Sequence, residues 1–272
     1  MRDGDAKGAG MTRPNQRRER RRSETPAHRR LRQGGWVTAI SSAIVTAMVA
    51  AAGYFDIDPV HVYPAIGTAR TDIAVVNFSG DMGLRFLLGA STSRGLTERG
   101  IAVVGIATPP LFRRHRTRRE TDAIVADHIR IALARTGAPR VVVMGQSYGA
   151  DIVQTGLADL PADLRRRVAG IVLILPGDTV FFRADPTGIE YRGTPDSIAA
   201  KTANTLTWAP LTCIYGVEED DSLCPALRVK GARIVAMPGD HDINHDAAGL
   251  LDHVLEAVRR AATPPRPASG LR

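Results

Sequence analysis

One serine is placed for nucleophilic chemistry: it lies in the run Gly145-Gln146-Ser147-Tyr148-Gly149. A β-branched apolar run precedes it and an amphipathic stretch follows, which predicts a strand, a sharp turn and a helix. In that setting G-x-S-x-G is typical of a nucleophile elbow, whose strained backbone exposes the serine hydroxyl. The alternative is a glycine-rich turn with a serine helix cap. We therefore predict that Ser147 is the nucleophile of an acyl-transfer site.

A serine hydroxyl needs a base to accept its proton, and the base needs an acid to hold it in place. His241 follows the last predicted strand, in Pro238-Gly239-Asp240-His241, and is the predicted base. His245 is the rival, although we expect it to begin the last helix. An acidic run precedes His241 in the chain, so the order is serine, acid, histidine, as in α/β-hydrolases.

The acid has several candidates, because residues 218–221 are four consecutive carboxylates. Asp221 is the predicted acid, since the acid turn of these enzymes often runs Asp-x-x-x-Pro and Pro225 completes that spacing. Glu219 and Asp220 remain alternatives, and Asp178 is a more remote one. Neighbouring carboxylates cannot all be buried, so most of the run should be solvated.

An oxyanion hole needs two backbone N–H donors aimed at the developing charge. The amide of Tyr148, directly after the nucleophile, is the predicted first donor. The amide of Gly80 or Asp81, in the loop after the first core strand, is the predicted second. The carboxylate of Asp81 would oppose an oxyanion, so it is expected to cap a helix or to meet a cationic substrate group.

Six short apolar runs predict the strands of an α/β fold with a mainly parallel sheet, because strands of this kind are buried on both faces. They lie at 73–78, 101–106, 141–144, 171–175, 211–215 and 233–237. Amphipathic stretches predict the flanking helices, at 84–99, 121–135, 150–160 and 247–261. The segment 178–208 is too short for a full lid domain, so a small lid or none is expected. The site should lie beyond the carboxyl ends of the strands.

Residues 36–55 are twenty consecutive uncharged residues, long enough to span a bilayer as a helix. Ten arginines precede them, so the positive-inside rule predicts a cytoplasmic tail at 1–35 and an extracytoplasmic body. A cleaved signal segment and a buried helix are the alternatives. We expect a disordered basic tail at 1–35, a folded domain at 65–262 and a disordered tail at 263–272. The predicted location is the bacterial inner membrane, with the domain in the periplasm.

The net charge of the 272-residue chain is +8, but +7 of it lies in residues 1–35. The nearly neutral remainder argues against a nucleic-acid-binding domain. No cysteine or histidine cluster suggests a metal site, and no cofactor is predicted. Cys213 and Cys224 flank the acid turn and are expected to form a disulfide after export, two free thiols being the alternative. The oligomeric state is not determined by the sequence.

Four segments together resemble the VirJ/AcvB bacterial virulence-protein family of α/β-hydrolases. They are the loop at 78–83, the elbow at 145–151, the cysteine-bracketed acid turn at 213–225 and the histidine turn at 238–241. The resemblance covers roughly residues 70–260. It implies an exported enzyme that hydrolyses lysyl-phosphatidylglycerol, with Ser147, Asp221 and His241 as its triad.

The chain carries charges that suit such a substrate. Asp81, Asp151 and the acidic run could surround a cationic lysyl group, and Arg113 and Arg114, in a loop of five arginines, could hold a lipid phosphate. A solvated loop is the alternative for the arginines. Two further functions remain open: a general serine esterase or lipase, and a non-catalytic envelope or secretion partner with a hydrolase fold.

Overall fold

The computed structural model describes residues 36, 40–47, 49–51, 53–85 and 87–263. The predicted tails lie outside these residues, apart from Thr263. Two units are distinguished, 1–45 and 46–272. In the first, residues 40–45 are helical and exposed; in the second, residues 46, 47 and 49–51 are helical. No helix in the described part of the chain is both long and apolar enough to cross a bilayer. The predicted span at 36–55 includes positions outside that part and stays a prediction.

A seven-stranded sheet forms the centre of the second unit, and a two-stranded ribbon lies outside it. The strands are β1 Val60–Tyr63, β2 Ala74–Phe78, β3 Val103–Ile106, β4 Val141–Gln146, β5 Val168–Ile174, β6 Thr179–Val180, β7 Ser197–Ile198, β8 Leu211–Gly216 and β9 Arg233–Met237. The order in the sheet is β1-β3-β2-β4-β5-β8-β9, and β6 pairs with β7 in the ribbon. All neighbouring strands of the sheet are parallel except β1, which pairs antiparallel with β3 at one edge.

In the described part of the chain from residue 53 on, seven helices accompany the sheet; six lie between strands and the last follows β9. They are α1 Leu87–Thr97, α2 Thr108–Phe112, α3 Arg118–Thr136, α4 Tyr148–Ala158, α5 Ala162–Arg165, α6 Ala199–Ala203 and α7 Ala247–Ala262. The longest, α3, begins with a reciprocal capping box between Thr117 and Glu120 and ends at Gly137, whose φ of +66° suits glycine. Short 3₁₀ turns lie at Glu190–Arg192, Cys224–Ala226 and Ile243–His245.

The sheet is buried on both faces, which accounts for its continuous apolar strands. Helices α3, α4 and α6 cover one face, and α1 and α7 cover the other. Alternate residues of each strand enter the two cores: Val143 packs on the α3–α4 side and Val142 on the α1–α7 side. The predicted fold class, a mainly parallel sheet between helices, is confirmed.

Two details differ from the expectations, and a third agrees with them. The strand Val60–Tyr63 was not predicted; it lies before residue 65, so the sheet begins earlier than the predicted domain boundary. Its sequence, VHVY, is a weak strand signal because it is short and only partly buried. Partial burial is expected of an edge strand, which has a neighbour on one side only. The segment 178–208 contains the β6–β7 ribbon and α6 but no separate domain, as expected for a small lid.

Candidate active site

Ser147 lies at the sharp turn between β4 and α4, with a φ of +51° that is rare for a residue with a side chain. Two glycines make the turn possible. A Cβ on Gly149 would clash with the carbonyl oxygens of Phe78 and Ser79, and one on Gly145 would clash with the first turn of α4. The amide of Ser147 donates to the carbonyl of Ile174, at 2.7 Å, and holds the turn on β5. This is the strained elbow that the sequence predicts.

His241 is brought to the serine from the other side of the cleft. Its Nε2 lies 2.8 Å from Ser147 Oγ, and its Nδ1 hydrogen-bonds the carboxylate of Glu219. Glu219 is almost completely buried, with a side chain only 5% exposed. The hydrogen bond to Glu219 raises the pKa of His241 above its ordinary value, although burial opposes the shift. A Nδ1–H donated to the carboxylate leaves Nε2 free to accept the serine proton.

The acid beside the histidine is therefore Glu219, and the structure does not place the predicted Asp221 there. Gly216, at the end of β8, packs so closely on Gly239 and Asp240 that a Cβ would clash with their backbone. The first residue of the acid turn therefore packs on the histidine turn. Glu219 is only three residues after that contact, which places its side chain within reach of His241. Asp221 lines the same cavity but makes no hydrogen bond to His241, and its backbone carbonyl accepts from the amide of Asp178, at 2.7 Å.

The sequence contains a signal for Glu219 as well. Glu219 follows three residues after Gly216, the glycine that ends β8, whereas the Asp-x-x-x-Pro spacing favours Asp221. Asp220 and Asp178 are exposed. His245 lies in a left-handed 3₁₀ turn, 75% exposed, 3.7 Å from Asp242. It is one of the predicted alternatives that the structure does not bring to the serine.

Cys213 and Cys224 form a disulfide, with their Cα atoms 5.6 Å apart. Cys213 lies in β8 and Cys224 begins the 3₁₀ turn after the acid run, and both are buried. The bond closes the base of the loop that carries Glu219. The predicted pairing is confirmed, and the loop is tied to the sheet at both ends.

The loop that carries the predicted second oxyanion donor passes beside Ser147. A Cβ on Gly80 would lie 3.5 Å from Ser147 Cβ, so the backbone of this loop runs beside the nucleophile. Within the described residues, the amides of Gly80 and Tyr148 donate to no other group of the chain. Asp81 also borders the cleft, although its carboxylate hydrogen-bonds elsewhere.

A cavity of about 410 Å³ opens on one side of Ser147. Four carboxylates line it, from Asp81, Asp151, Glu219 and Asp221, and its lining includes no lysine or arginine. Asp151, one turn beyond the nucleophile, accepts from the amide of Gly177 at 2.8 Å. Burial raises the pKa of Asp151 well above its usual range, and the nearby Asp81 and Glu219 add to the shift. Such a cavity favours a positively charged group.

Aromatic rings form another wall of the same cavity. Tyr191 stacks on Tyr148 with their centroids 6.0 Å apart and lies 5.4 Å from Phe181. The hydroxyl of Tyr191 donates to Asp81 at 3.2 Å and accepts from the amide of Asp185 at 2.9 Å. Burial raises the pKa of Asp81, while the hydrogen bond from Tyr191 opposes the shift. Tyr191 belongs to the 178–208 segment and was not predicted, because nothing in its local sequence marks it.

A second cavity of about 270 Å³ also borders Ser147 and His241, and it shares Asp81 and Leu175 with the first. Met82 and Leu88 give it a more apolar wall, to which Asp240, Asp242 and His245 also contribute. Ser147 is thus bordered by an acidic, aromatic cavity and by a more apolar one.

The predicted substrate-binding residues separate into two groups. Asp151 lines the acidic cavity. Arg113 and Arg114 are exposed in the loop after α2 and line neither cavity, so their predicted role in holding a lipid phosphate stays a prediction. No group of histidines, cysteines and carboxylates suited to a metal ion occurs in the part of the chain that the structure describes.

Comparison with curated proteins finds no match. Among solved structures, the chain is similar to Est1E from Butyrivibrio proteoclasticus (11% identity, TM-score 0.50, 74% of this chain and 95% of that one). It is also similar to the esterase Pf2001 from Pyrococcus furiosus (15%, 0.51, 70% and 81%). A third is an α/β serine hydrolase homologue from Coxiella burnetii (13%, 0.52, 72% and 89%). At these identities the likeness shows the fold, which is that of α/β-hydrolases.

The family model described as bacterial virulence protein (VirJ) matches residues 72–262. The matched region contains the elbow, the acid turn and the histidine turn. This protein therefore belongs to the VirJ family of bacterial virulence proteins.

Proposed function

We propose that the protein is a serine ester hydrolase that works through an acyl-enzyme on Ser147, His241 and Glu219. The observation that carries this proposal is the unbroken chain of hydrogen bonds from Ser147 Oγ through the imidazole to the buried Glu219. That chain starts from a serine in a strained elbow, bordered by two cavities.

The reaction follows from the positions of these groups. His241 Nε2 accepts the serine proton as Oγ attacks the ester carbonyl, and the amides of Tyr148 and Gly80 stabilise the oxyanion. His241 then protonates the departing alcohol, which leaves the acyl group on Ser147. A water molecule, deprotonated by the same imidazole, hydrolyses the acyl-enzyme and restores the serine. Glu219 stays ionised and stabilises the imidazolium.

The acyl group that we propose is an aminoacyl group, and the substrate an aminoacyl phospholipid such as lysyl-phosphatidylglycerol. Asp81 and Asp151 support this choice, since their carboxylates face the cavity beside the nucleophile without a cationic partner there. The rings of Phe181 and Tyr191 add π faces that attract an ammonium group. The apolar cavity would take the alcohol side of the ester.

We further propose that residues 36–55 anchor the protein in the bacterial inner membrane, with the hydrolase domain in the periplasm. The uncharged segment, the arginines before it and the disulfide support this arrangement, because disulfides persist in oxidising compartments. An anchored domain would meet its lipid substrate at the membrane surface.

The nucleophile is tested by labelling with a fluorophosphonate probe. The wild-type chain should label on Ser147 at the rate of a control esterase, and Ser147→Ala should not label. If the wild type fails to label while the control reacts, the hydrolase proposal is wrong.

The substrate is tested by comparing the lipids of a deletion strain with those of a strain that carries Ser147→Ala. Aminoacylated phosphatidylglycerol should accumulate in both. If labelling succeeds but this lipid does not rise in either strain, the chain is an esterase for other acyl groups.

A further inference from the structure

An exposed surface joins the end of the predicted anchor and the residues that follow it to the edge of the sheet where the site opens. In that segment, the side chain of Phe55 is 58% exposed and that of Ile57 is fully exposed. Tyr54, next to them, donates from its hydroxyl to the carbonyl of Arg113, at 3.0 Å. The segment is therefore attached to the arginine loop that follows α2.

The tip of the arginine loop presents two unpaired cations. Arg113 and Arg114 are exposed, and no carboxylate among the described residues lies within ion-pair distance of either. Two other arginines of the same loop are paired: Arg116 with Glu120, and Arg118 with Asp122 and Asp159. His115, next to them, contacts the carboxylate of Asp196 at 2.8 Å, so Arg113 and Arg114 are the two basic residues of the tip that are left for an outside anion.

The loop is also bound to the segment that lines the acidic cavity. The amide of Ala184 donates to the carbonyl of Phe112, and that of Arg116 to the carbonyl of Phe182, both at 2.9 Å. The tip residues 113–115 lie between these two bonds. Further along the same segment, Ile189 is 69% exposed, next to Gly188 in the cavity wall.

We propose that Phe55, Ile57, Arg113, Arg114 and Ile189 form an interfacial surface that rests on an anionic phospholipid bilayer and turns the mouth of the acidic cavity toward it. The chemistry is that of a membrane interface: apolar side chains enter the headgroup region, and guanidinium groups bind lipid phosphates. A surface that binds another protein through apolar contact usually has one contiguous apolar patch. Here three separate apolar side chains lie beside two unpaired arginines, which suits lipid headgroups better.

The proposal goes beyond the proposed function and rests on it for the lipid substrate and for the anchor that ends at Phe55. A charge-matched control is available at the opposite edge of the sheet. There Arg166 and Arg260 are exposed and line a shallow cavity that includes the amino end of β5 and the carboxyl end of α7. Reversing these two charges changes the net charge as much as reversing Arg113 and Arg114.

The test uses the full chain in lipid nanodiscs, either of phosphatidylcholine or of a mixture with phosphatidylglycerol. Hydrogen exchange of 54–57, 111–119 and 186–190 should be slower in the mixed discs. R113E/R114E should abolish this difference, R166E/R260E should keep it, and R113K/R114K should largely retain it. Phe55→Ser with Ile57→Ser should weaken protection in both discs. Equal exchange in the two disc types, or equal effects of the two charge reversals, would overturn the proposal.

A second readout is the turnover of aminoacyl lipid in vesicles divided by that of a soluble ester in the same sample. R113E/R114E should lower this ratio about tenfold or more, since each basic residue near an anionic surface contributes measurably to binding. R166E/R260E should lower it less than about twofold. If no ester is hydrolysed at all, the proposed function fails, and the exchange measurement still decides whether the surface binds lipid.

Discussion

Glu219 hydrogen-bonds Nδ1 of His241, whereas Asp221, two residues later, has its carbonyl on the amide of Asp178. One turn thus supplies two carboxylates to the cavity in different roles. Glu219 is buried against the imidazole, and Asp221 lines the outer wall. The two side chains can be separated by experiment, because each has an isosteric amide.

Glu219→Gln should lower kcat by about 10³–10⁴-fold, because the amide can favour the wrong histidine tautomer and cannot stabilise the imidazolium. Asp221→Asn should lower it less than about tenfold. The measurement is hydrolysis of a soluble ester, with thermal unfolding as the control for folding. A larger loss in Asp221→Asn would return the acid role to that residue.

The pH dependence of kcat/KM should report the raised pKa of His241. The imidazole accepts a proton only when neutral, so activity should rise with pH through a pKa above the ordinary 6.5. Glu219→Gln should shift this acid limb to lower pH, because it removes the largest cause of the shift. A limb that does not move between the two enzymes would contradict the assigned pair.

Replacement of both cysteines by alanine should lower the free energy of unfolding by about 2–3 kcal/mol, the entropy of closing a loop of 11 residues. For a domain of this size the melting temperature should fall by roughly 5–10 °C. Activity should fall as well, since the loop that holds Glu219 is released. Reductant should reproduce the effect in the wild type and leave the double variant unchanged; the same fall in both would point to another cause.

At a pH where the Asp151 carboxylate is ionised, Asp151→Asn should raise KM for a cationic aminoacyl ester about 30-fold or more, because losing one partner of a buried charge pair costs about 2 kcal/mol or more. The amide can still accept from Gly177, so the fold should survive. A neutral ester with the same alcohol is the matched control, and its KM should change little. Equal losses for both esters would mean that Asp151 supports the elbow rather than the substrate.

The KM for the cationic ester should also depend on pH. Burial raises the pKa of Asp151, and a carboxylate attracts a cation only when ionised, so KM should fall as pH rises through that pKa. The neutral ester should lack this trend, and Asp151→Asn should remove it. A parallel trend for both esters would assign the titration to another group.

The sequence by itself determined the fold class, the elbow at Ser147, the turn that carries His241 and the pairing of the cysteines. Each depends on local pattern: buried strands are apolar throughout, the elbow needs glycines at 145 and 149, and His241 follows a strand directly. Each feature is encoded by residues that are close to one another in the chain, so it can be predicted without knowing which distant segments meet.

Only the tertiary structure decided which carboxylate reaches the histidine and where the arginines lie. The four acids at 218–221 are adjacent in the chain, so their spacing alone does not show which one meets the histidine. The close contact of Gly216 with the backbone at 239–240 brings the two turns together, and Glu219 is the acid that then bonds His241. Arg113 and Arg114 follow the strand β3 at the same edge of the sheet, yet their loop turns outward toward Tyr54. Tyr191 reaches Asp81 across 110 residues, and no local pattern encodes a contact of that range.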